Sequence, residues 1–289
     1  MIKIVDLAQN SPEWLEFRKD KVGASDASII MEISPWKTPF QLWKEKMGLV
    51  VQEQTPAMKR GHELEGLARS CFEDMMKGKF DPVVMVNSSL PWMIASLDGY
   101  NFEKKEAVEI KCASHTHHKL ACEGKIPDIY YPQLQHQMEV AKLDYIYYFS
   151  FDGNDGVCVK CERDSQYIVR LIQKERAFYI CMKELIEPAL VAKDFVLRED
   201  LDWEYISEQW KNAKEQLNES EKKENELREK LIQLSNDKNS LGNGVKLSKI
   251  LRKGNIDYSL VPELKNIDLE KYRKEKTFMW KIYKEIQNN

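Results

Sequence analysis

The 289-residue chain lacks any apolar run of the roughly 18–20 residues that a membrane helix needs. Its opening, MIKIVDLAQNSPEW, meets Asp6 early and holds no apolar signal core, which argues against secretion and for a cytoplasmic protein. Glycine and proline are sparse, at twelve and ten residues, which excludes collagen-like and disordered classes. Cysteine numbers only six (71, 112, 122, 158, 161 and 181), scattered over a chain long enough to bury a core without staples. These read as reduced thiols. Cys158-Val-Lys-Cys161 is a lone CxxC with no second pair, better read as a strand with two small residues than as a zinc or redox site. There is no excess of positive charge either. With 44 Lys/Arg against 47 Asp/Glu the formal charge is −3, so no global basic field announces nucleic acid, although a local basic surface stays compatible. What is present, 43% hydrophobic and 31% charged residues, fits one large folded domain, alone or with an appendage.

Apolar runs alternate with turns up to about residue 200. VVMVNSSLPWMIASLDG (83–99), EAVEIKCA (106–113) and DYIYYFSFDGNDGVCVKCE (144–162) read as strands, rich in β-branched and aromatic residues and broken by turn formers. Between them lie helical patterns. GHELEGLARSCFEDMMKG (61–78) sets Leu64, Leu67, Ala68, Cys71, Phe72 and Met75 on one face and ends at a glycine cap. A second helix, from about Tyr130 to Lys142, buries Leu134, Met138 and Ala141. A third runs from Asp164 to about Leu190 with Ile168, Leu171, Ile172, Phe178 and Leu185. Helices mixed with consecutive strands predict an α/β or α+β core over residues 1–200.

Residues 201–242 change character. Trp203, Ile206, Trp210, Ala213, Leu217, Ser220, Glu224, Leu227, Leu231 and Leu234 follow in alternating steps of three and four, a heptad seam with two polar members. A solvated helix packed on one partner helix and an oligomerising coiled coil both satisfy it. LGNG (241–244) stops the helix. The tail, 243–289, carries its basic excess from residue 245 onward, with Lys246, Lys249, Arg252 and Lys253 clustered and Phe278, Trp280 and Tyr283 adding aromatic surface. Such an arm suits phosphate backbone, or equally a solvated helical cap.

The chemistry concentrates in Ser96-Leu97-Asp98-Gly99 and, ten residues later, Glu109-Ile110-Lys111. Asp98 closes an apolar strand, and the next strand returns Glu109 and Lys111 beside it. Residues two apart on a strand share a face, so Glu109 and Lys111 point together while Val108 and Ile110 point into the core. Two converging carboxylates make a hard-oxygen site suited to Mg²⁺, with Mn²⁺ as a substitute. A lysine beside such a cation positions water or neutralises phosphate. The plainer alternative is a surface hairpin with solvated charges. Glu65 in RGHELE can complete the carboxylate set from a helix, and Gln133 and Gln137, one helical turn apart, aim an amide toward the same place.

Four stretches in this order, EWLEFRKDKVGASD (13–26), RGHELEGLARSCFE (60–73), SLDGYNFEKKEAVEIKC (96–112) and YYPQLQHQMEVA (130–141), resemble the lambda-exonuclease or YqaJ-type viral recombinase family of the PD-(D/E)xK nuclease superfamily. The resemblance covers about residues 11–200. It implies a restriction-endonuclease-like core with a central mixed sheet flanked by helices, here followed by a C-terminal helical extension. It also implies that Asp98 and Glu109 bind the metal together with the backbone carbonyl of Ile110, and that Lys111 is the catalytic lysine. Glu65 matches a helix carboxylate near the metal and Gln133 a site glutamine. Arg18, Ser25 and Ser96 match a pocket for the 5′-phosphate of a DNA end, where a guanidinium fork and hydroxyl donors suit the ligand. The family's usual proline before the metal aspartate is Leu97 here, and that proline is not a ligand.

The activity so implied is Mg²⁺-dependent 5′→3′ digestion of one strand of linear duplex DNA, leaving 3′ overhangs for phage-type recombination. A homotrimeric ring, a single-strand annealing protein as partner and the cytoplasm of a bacterial host go with it. The rival readings are a structure- or single-strand-directed endonuclease on the same core, and a catalytically silent DNA-end-binding module. His115, His117 and His118 with Cys112 and Cys122 lack a zinc-ligand spacing and read as a polar loop near substrate. Trp14, three and four residues before Phe17 and Arg18, reads as packing that anchors Arg18. Trp36 and Trp43 read equally as core or as channel wall.

Overall fold

The computed structural model describes residues 2–51, 55–112 and 114–262, and residues 264, 267, 272 and 274. It divides the chain into two compact units, Met1–Val196 and Leu197–Asn289. The aromatic positions Phe278, Trp280 and Tyr283 of the basic tail lie outside the described residues.

The first unit is a mixed α/β layer structure. Strand β1 (Ile2–Val5) leads to helix α1 (Pro12–Lys19), which starts at a Ser11 cap accepting from the amide of Trp14, with Pro12 in its first turn. A two-residue strand β2 (Val22–Gly23), a short 3₁₀ turn and helix α2 (Ala27–Ile30) follow. Helix α3 (Pro39–Lys46) opens with a capping box between Thr38 and Gln41. Then come α4 (Pro56–Met76), β3 (Asp81–Asn87), β4 (Met93–Asn101), β5 (Glu106–Cys112), α5 (His115–Cys122), α6 (Tyr131–Ala141), β6 (Tyr145–Phe151), β7 (Gly156–Glu162) and α7 (Ser165–Glu184).

The sheet runs β1-β3-β4-β5-β6-β7. Neighbours are antiparallel except β5 and β6, which run parallel because α5 and α6 cross over between them. One edge of β4 has two partners. Its first residues pair in parallel with β2 (Val22 with Met93, Gly23 with Ile94), and its last pair antiparallel with β5 (Gly99 with Val108, Asn101 with Glu106). Residues 95–98 lie between the two ladders, at a fork in the sheet.

Helices cover both faces. α6 packs Leu134, Met138 and Ala141 onto Met85, Ala95, Leu97 and Tyr148. α4 lays Ala68 and Phe72 on Val108, Ile110, Phe149 and Phe151. Phe72 meets Phe80 and Phe149 edge-on at 4.9 and 5.2 Å, the geometry aromatic quadrupoles favour. A third cluster joins Val22, Ile30, Leu42 and Trp43 to Phe178 and Met182 of α7.

The structure amends several expectations. Leu67 and Met75 of α4 are exposed, so the buried face is narrower than the apolar positions suggested. The helix ends at Met76, and the left-handed residue that follows it is Lys77 (φ 49°), one before the glycine. α7 stops at Glu184, where Leu185 turns left-handed (φ 55°). Trp43 is core and its indole donates to the carbonyl of Cys181, whereas Trp36 is exposed. Cys158 and Cys161 face opposite sides of β7, because an odd separation on a strand cannot point two thiols at one ion. Burial pushes the Cys161 thiol up to about 12.

The second unit contains α8 (Leu201–Leu234), capped by Asp200, whose carboxylate accepts from the amide of Trp203. Among its seam residues Trp203, Ile206, Leu217, Leu227, Leu231 and Leu234 are exposed. The helix stops at Leu234, before LGNG. That tetrapeptide instead turns a hairpin between β8 (Ser240–Gly242) and β9 (Val245–Leu247), with Asn243 and Gly244 both at positive φ (46° and 76°), as a tight type I′ turn demands. Lys246, Lys249, Arg252 and Lys253 are exposed, and Lys249 pairs with Asp237 at 2.6 Å. No helix among the described residues is long and apolar enough to cross a membrane.

Candidate active site

The fork in the sheet opens into a cavity of about 120 Å³ lined by Trp14, Arg18, Ser25, Ser96, Asp98, Glu109 and Gln133, with Gly23, Ala24 and Ile94 completing the wall. Six sequence-predicted positions, from three of the four stretches named above, therefore meet in one place. Each arrives for a local reason. Ser96 and Asp98, two apart on β4, face the same side of the sheet. Glu109 arrives on β5, whose alternation buries Val108 and Ile110 under α4. Gln133 comes from the first turn of α6, Arg18 from the last turn of α1, and Ser25 from the turn after β2.

Polar contacts fix the acidic half of the cavity. Glu109 is 2% exposed, so its carboxylate must be satisfied within the protein. One oxygen accepts from Lys111 Nζ and from Gln133 Nε2 (2.5 Å), the other from Gln137 Nε2. Gln137 also donates to the carbonyl of Ser96 at 3.2 Å. Asp98 Oδ2 accepts the backbone amide of Ile110 at 2.8 Å. Burial, together with the Glu109 and Glu65 carboxylates, pushes the Asp98 carboxyl well above the usual range, against Lys111 and the Ile110 amide. Burial disfavours the Lys111 cation, but Glu109 and Asp98 outweigh it and hold the ammonium above its ordinary value.

Glu65 stands apart from this arrangement. Its carboxylate is taken by Arg69, one helical turn on, at 2.5 Å, and Arg69 Nε donates to the carbonyl of Asp98 at 2.7 Å. Among the described residues no three His, Cys, Asp or Glu side chains are gathered into a ready metal cage. Asp98 and Glu109 nevertheless suit a hard divalent cation, which is commonly held by one or two carboxylates with water filling the remaining positions. The upward shift of Asp98 comes first from burial and then from the Glu109 and Glu65 carboxylates, whose charge a bound cation would offset.

The basic half is equally well defined. The Arg18 guanidinium lies 4.5 Å over the ring of Trp14 and donates to Ser25 Oγ at 3.0 Å. Trp14, 7% exposed, donates its indole N–H to Ser96 Oγ at 3.0 Å, so the hydroxyl that faces the cavity is oriented from α1. The histidine segment is helix α5 rather than the expected loop, started by Ser114, whose hydroxyl accepts from the amide of His117. His118 contacts Ser150 Oγ at 3.0 Å and His117 contacts the hydroxyl of Tyr130 at 3.3 Å, while Lys111 lies 5.3 Å from the Tyr130 ring.

Several supporting residues escaped the sequence reading: Arg69, the buried pair Asp26 and Lys46, and the pair His136 and Glu175. Only Arg69 left a local signal, its spacing of four from Glu65. The others are brought together by tertiary packing alone.

Comparison with known proteins points the same way. A protein of Bacillus subtilis (strain 168) described as uncharacterized protein YqaJ is 32% identical over 184 residues, covering 60% of this chain and 58% of that relative. The match thus spans under two thirds of the relative's length. Among solved structures, an alkaline exonuclease (LHK-Exo) from Laribacter hongkongensis is 25% identical with a TM-score of 0.53, over 61% of this chain and 94% of that one. The same LHK-Exo in complex with dAMP, at 24% identity, a TM-score of 0.54 and the same coverage, shares the fold. The mixed sheet flanked by helices is accordingly of the PD-(D/E)xK type. The pattern of the YqaJ-like viral recombinase domain matches from Glu13, just ahead of the arginine of the cavity, to Asp144, just past α6. Residues 13–144 of this chain are thus similar to a YqaJ-like viral recombinase domain.

Proposed function

We propose that the chain is a divalent-metal-dependent nuclease that removes nucleotides from one strand of linear duplex DNA, starting at a 5′-phosphorylated end and moving 5′→3′. The observation that carries this reading is the single cavity in which Arg18, Ser25 and Ser96 face the same space as Asp98 and Glu109. A cationic fork with hydroxyl donors binds a terminal phosphate, and the adjoining carboxylates serve the next phosphodiester.

Asp98 and Glu109, with the carbonyl of Ile110, would hold Mg²⁺, for which Mn²⁺ substitutes. When bound, the ion supplies Lewis acidity toward water and toward the leaving 3′-oxygen. Lys111 keeps its proton, being held above its usual value by the two carboxylates, so it orients the attacking water and offsets phosphate charge rather than acting as a base. Gln133 and Gln137 donate to Glu109 and aim its carboxylate, and Arg69 keeps the Asp98 backbone in place while restraining Glu65 near the site. Arg18, steadied on Trp14, holds the end phosphate and so sets which bond reaches the carboxylates.

The 3′ overhang so produced would serve recombination by strand annealing in the cytoplasm of a bacterial host. The homotrimeric ring and the annealing partner rest on the family resemblance.

The test is digestion of linear duplex in Mg²⁺, comparing 5′-phosphate with 5′-hydroxyl ends and with a closed circle. Loss of the phosphorylated strand from its 5′ end, with the circle intact, is the expected result. A cut circle keeps the nuclease and replaces the exonuclease with an endonuclease. No cleavage in Mg²⁺ or Mn²⁺ leaves a DNA-end-binding module.

A further inference from the structure

Beside Arg18, and not among the residues that line the cavity, lies an ion pair with no place in the reading above. Asp26 and Lys46 are 4% and 9% exposed. Charged side chains are rarely buried so deeply unless each is paired and hydrogen-bonded, and here both are. Asp26 Oδ2 meets Lys46 Nζ at 2.7 Å and accepts the amide of Gly23 at 2.9 Å. Lys46 spends its other protons on α1 and its exit, reaching the carbonyls of Arg18 (3.3 Å) and Lys21 (2.9 Å). The second oxygen of Asp26 faces the Arg18 guanidinium at 3.7 Å.

The two distances decide how the charges are shared. Lys46 is a full ångström closer to Asp26 than Arg18 is, and it makes a hydrogen bond where Arg18 makes a longer electrostatic contact. Asp26 therefore spends most of its charge on Lys46. Arg18 is steered by the aspartate yet not neutralised by it, and its short hydrogen bond goes to Ser25 at the cavity wall. A Cβ at Gly23 would make ordinary contacts with both groups, 3.4 Å from Arg18 Nη2 and 3.5 Å from Asp26 Oδ2.

We propose that Asp26 and Lys46 are positioning residues for the end-phosphate pocket: the pair anchors α1 and aims Arg18, and by cancelling its own charge it leaves the guanidinium free for an anionic 5′ terminus. The inference rests on the phosphate-pocket reading of Arg18, Ser25 and Ser96. With Lys46 removed, the full charge of Asp26 turns to Arg18 and competes with the phosphate. With Asp26 removed, Arg18 loses its guide and faces an unpaired Lys46 cation. Removing both charges together leaves two amides that still bridge the Gly23 amide and the α1 carbonyls, and Arg18 keeps its freedom.

The experiment measures the initial-rate ratio for 5′-phosphoryl against 5′-hydroxyl ends in the full chain, for the wild type, Asp26→Asn, Lys46→Gln and the double variant. Thermal melts check that each is folded. The ratio is expected to fall about tenfold or more in each folded single variant and to recover most of that loss in the double, since an unpaired buried charge is costlier than a neutral pair. A folded single variant with the wild-type ratio overturns the proposal. A double variant as indifferent as the singles also overturns it, because that reduces the pair to packing. Should neither single variant fold, the double decides: a retained ratio supports charge compensation and a lost one refutes it. A wild type that ignores the end phosphate overturns the pocket reading itself, whereas a discriminating wild type with unaffected single variants overturns only the role of the pair.

Discussion

Ile110 donates its backbone N–H to Asp98 Oδ2 where the β4–β5 ladder stops, Asp98 lying one residue and Ile110 two residues beyond the Gly99–Val108 pairing. The side chain of Asp98 thus continues the hydrogen bonding that the backbone abandons. It also ties Asp98 to the peptide that joins Glu109 to Ile110.

Lys111→Ala is expected to lower kcat by about two to three orders of magnitude, the loss typical of removing one preorganised electrostatic donor. Binding of end-phosphorylated duplex, carried by the Arg18 pocket, stays within a few-fold of wild type. Single-turnover cleavage beside a gel-shift titration separates the two. Cleavage that survives the substitution removes Lys111 from the chemistry.

Mg²⁺ is expected to raise the melting temperature of the wild type in a concentration-dependent way, because only the native state gathers both carboxylates. The Asp98→Asn variant is expected to fold yet gain no such stabilisation. A calorimetric or fluorescence melt across a metal titration checks this without reference to activity. Equal stabilisation of the two proteins places the ion elsewhere.

Gly99 sits directly after Asp98, and a Cβ there would lie 2.7 Å from Phe80 Cβ and 2.8 Å from Val108 Cγ1. Neither neighbour is a flexible side-chain end, so β4 and β5 must part. Gly99→Ala is expected to cost about 1–3 kcal/mol in urea unfolding, in the range of core overpacking, and to lower cleavage through the displaced Asp98. An unchanged unfolding midpoint would contradict the close strand packing.

His136 and Glu175 form a fully buried pair at 2.7 Å. His136 Nε2 must carry a proton, because its partner at 2.8 Å is the carbonyl of Ile94, a pure acceptor. One further proton is shared between Nδ1 and Glu175. Burial alone would lower the histidine, but Glu175 outweighs it and holds the imidazole above its ordinary value, while burial raises Glu175. The unfolded chain loses its histidine proton near pH 6.5, whereas the folded chain retains it to higher pH. The stabilisation is therefore complete below about pH 6.5 and is lost as pH rises through the raised native value. Unfolding free energy measured from pH 6 upward is expected to fall more steeply for the wild type than for the double replacement His136→Gln with Glu175→Gln. Parallel curves would show that the pair does not hold the shared proton.

The sequence made the carboxylate hairpin legible because strand periodicity is short-range: placing Val108 and Ile110 inward obliges Glu109 and Lys111 to face the other way. α6 was legible in its stripe but not in its depth, since Gln135, His136 and Gln137 are buried too, and only tertiary partners make that tolerable. The two-residue β2 left no pattern, and neither did the meeting of Lys46 with Asp26, twenty residues apart. From the sequence the Asn-Gly pair at 243–244 reads as a helix stop because the helical seam runs so close to it. Its two positive-φ positions belong instead to a hairpin whose strands are too short to show alternation.

Ser96, beside the arginine, and Asp98, beside the other carboxylate, are consecutive same-face positions on a single strand, roughly 6.8 Å apart by the rise of an extended chain. That interval is set by covalent geometry, which no side-chain replacement can stretch or shorten. On the proposed reading, β4 is a ruler whose graduation is one pleat, and the length of each bite along the DNA is written into the backbone.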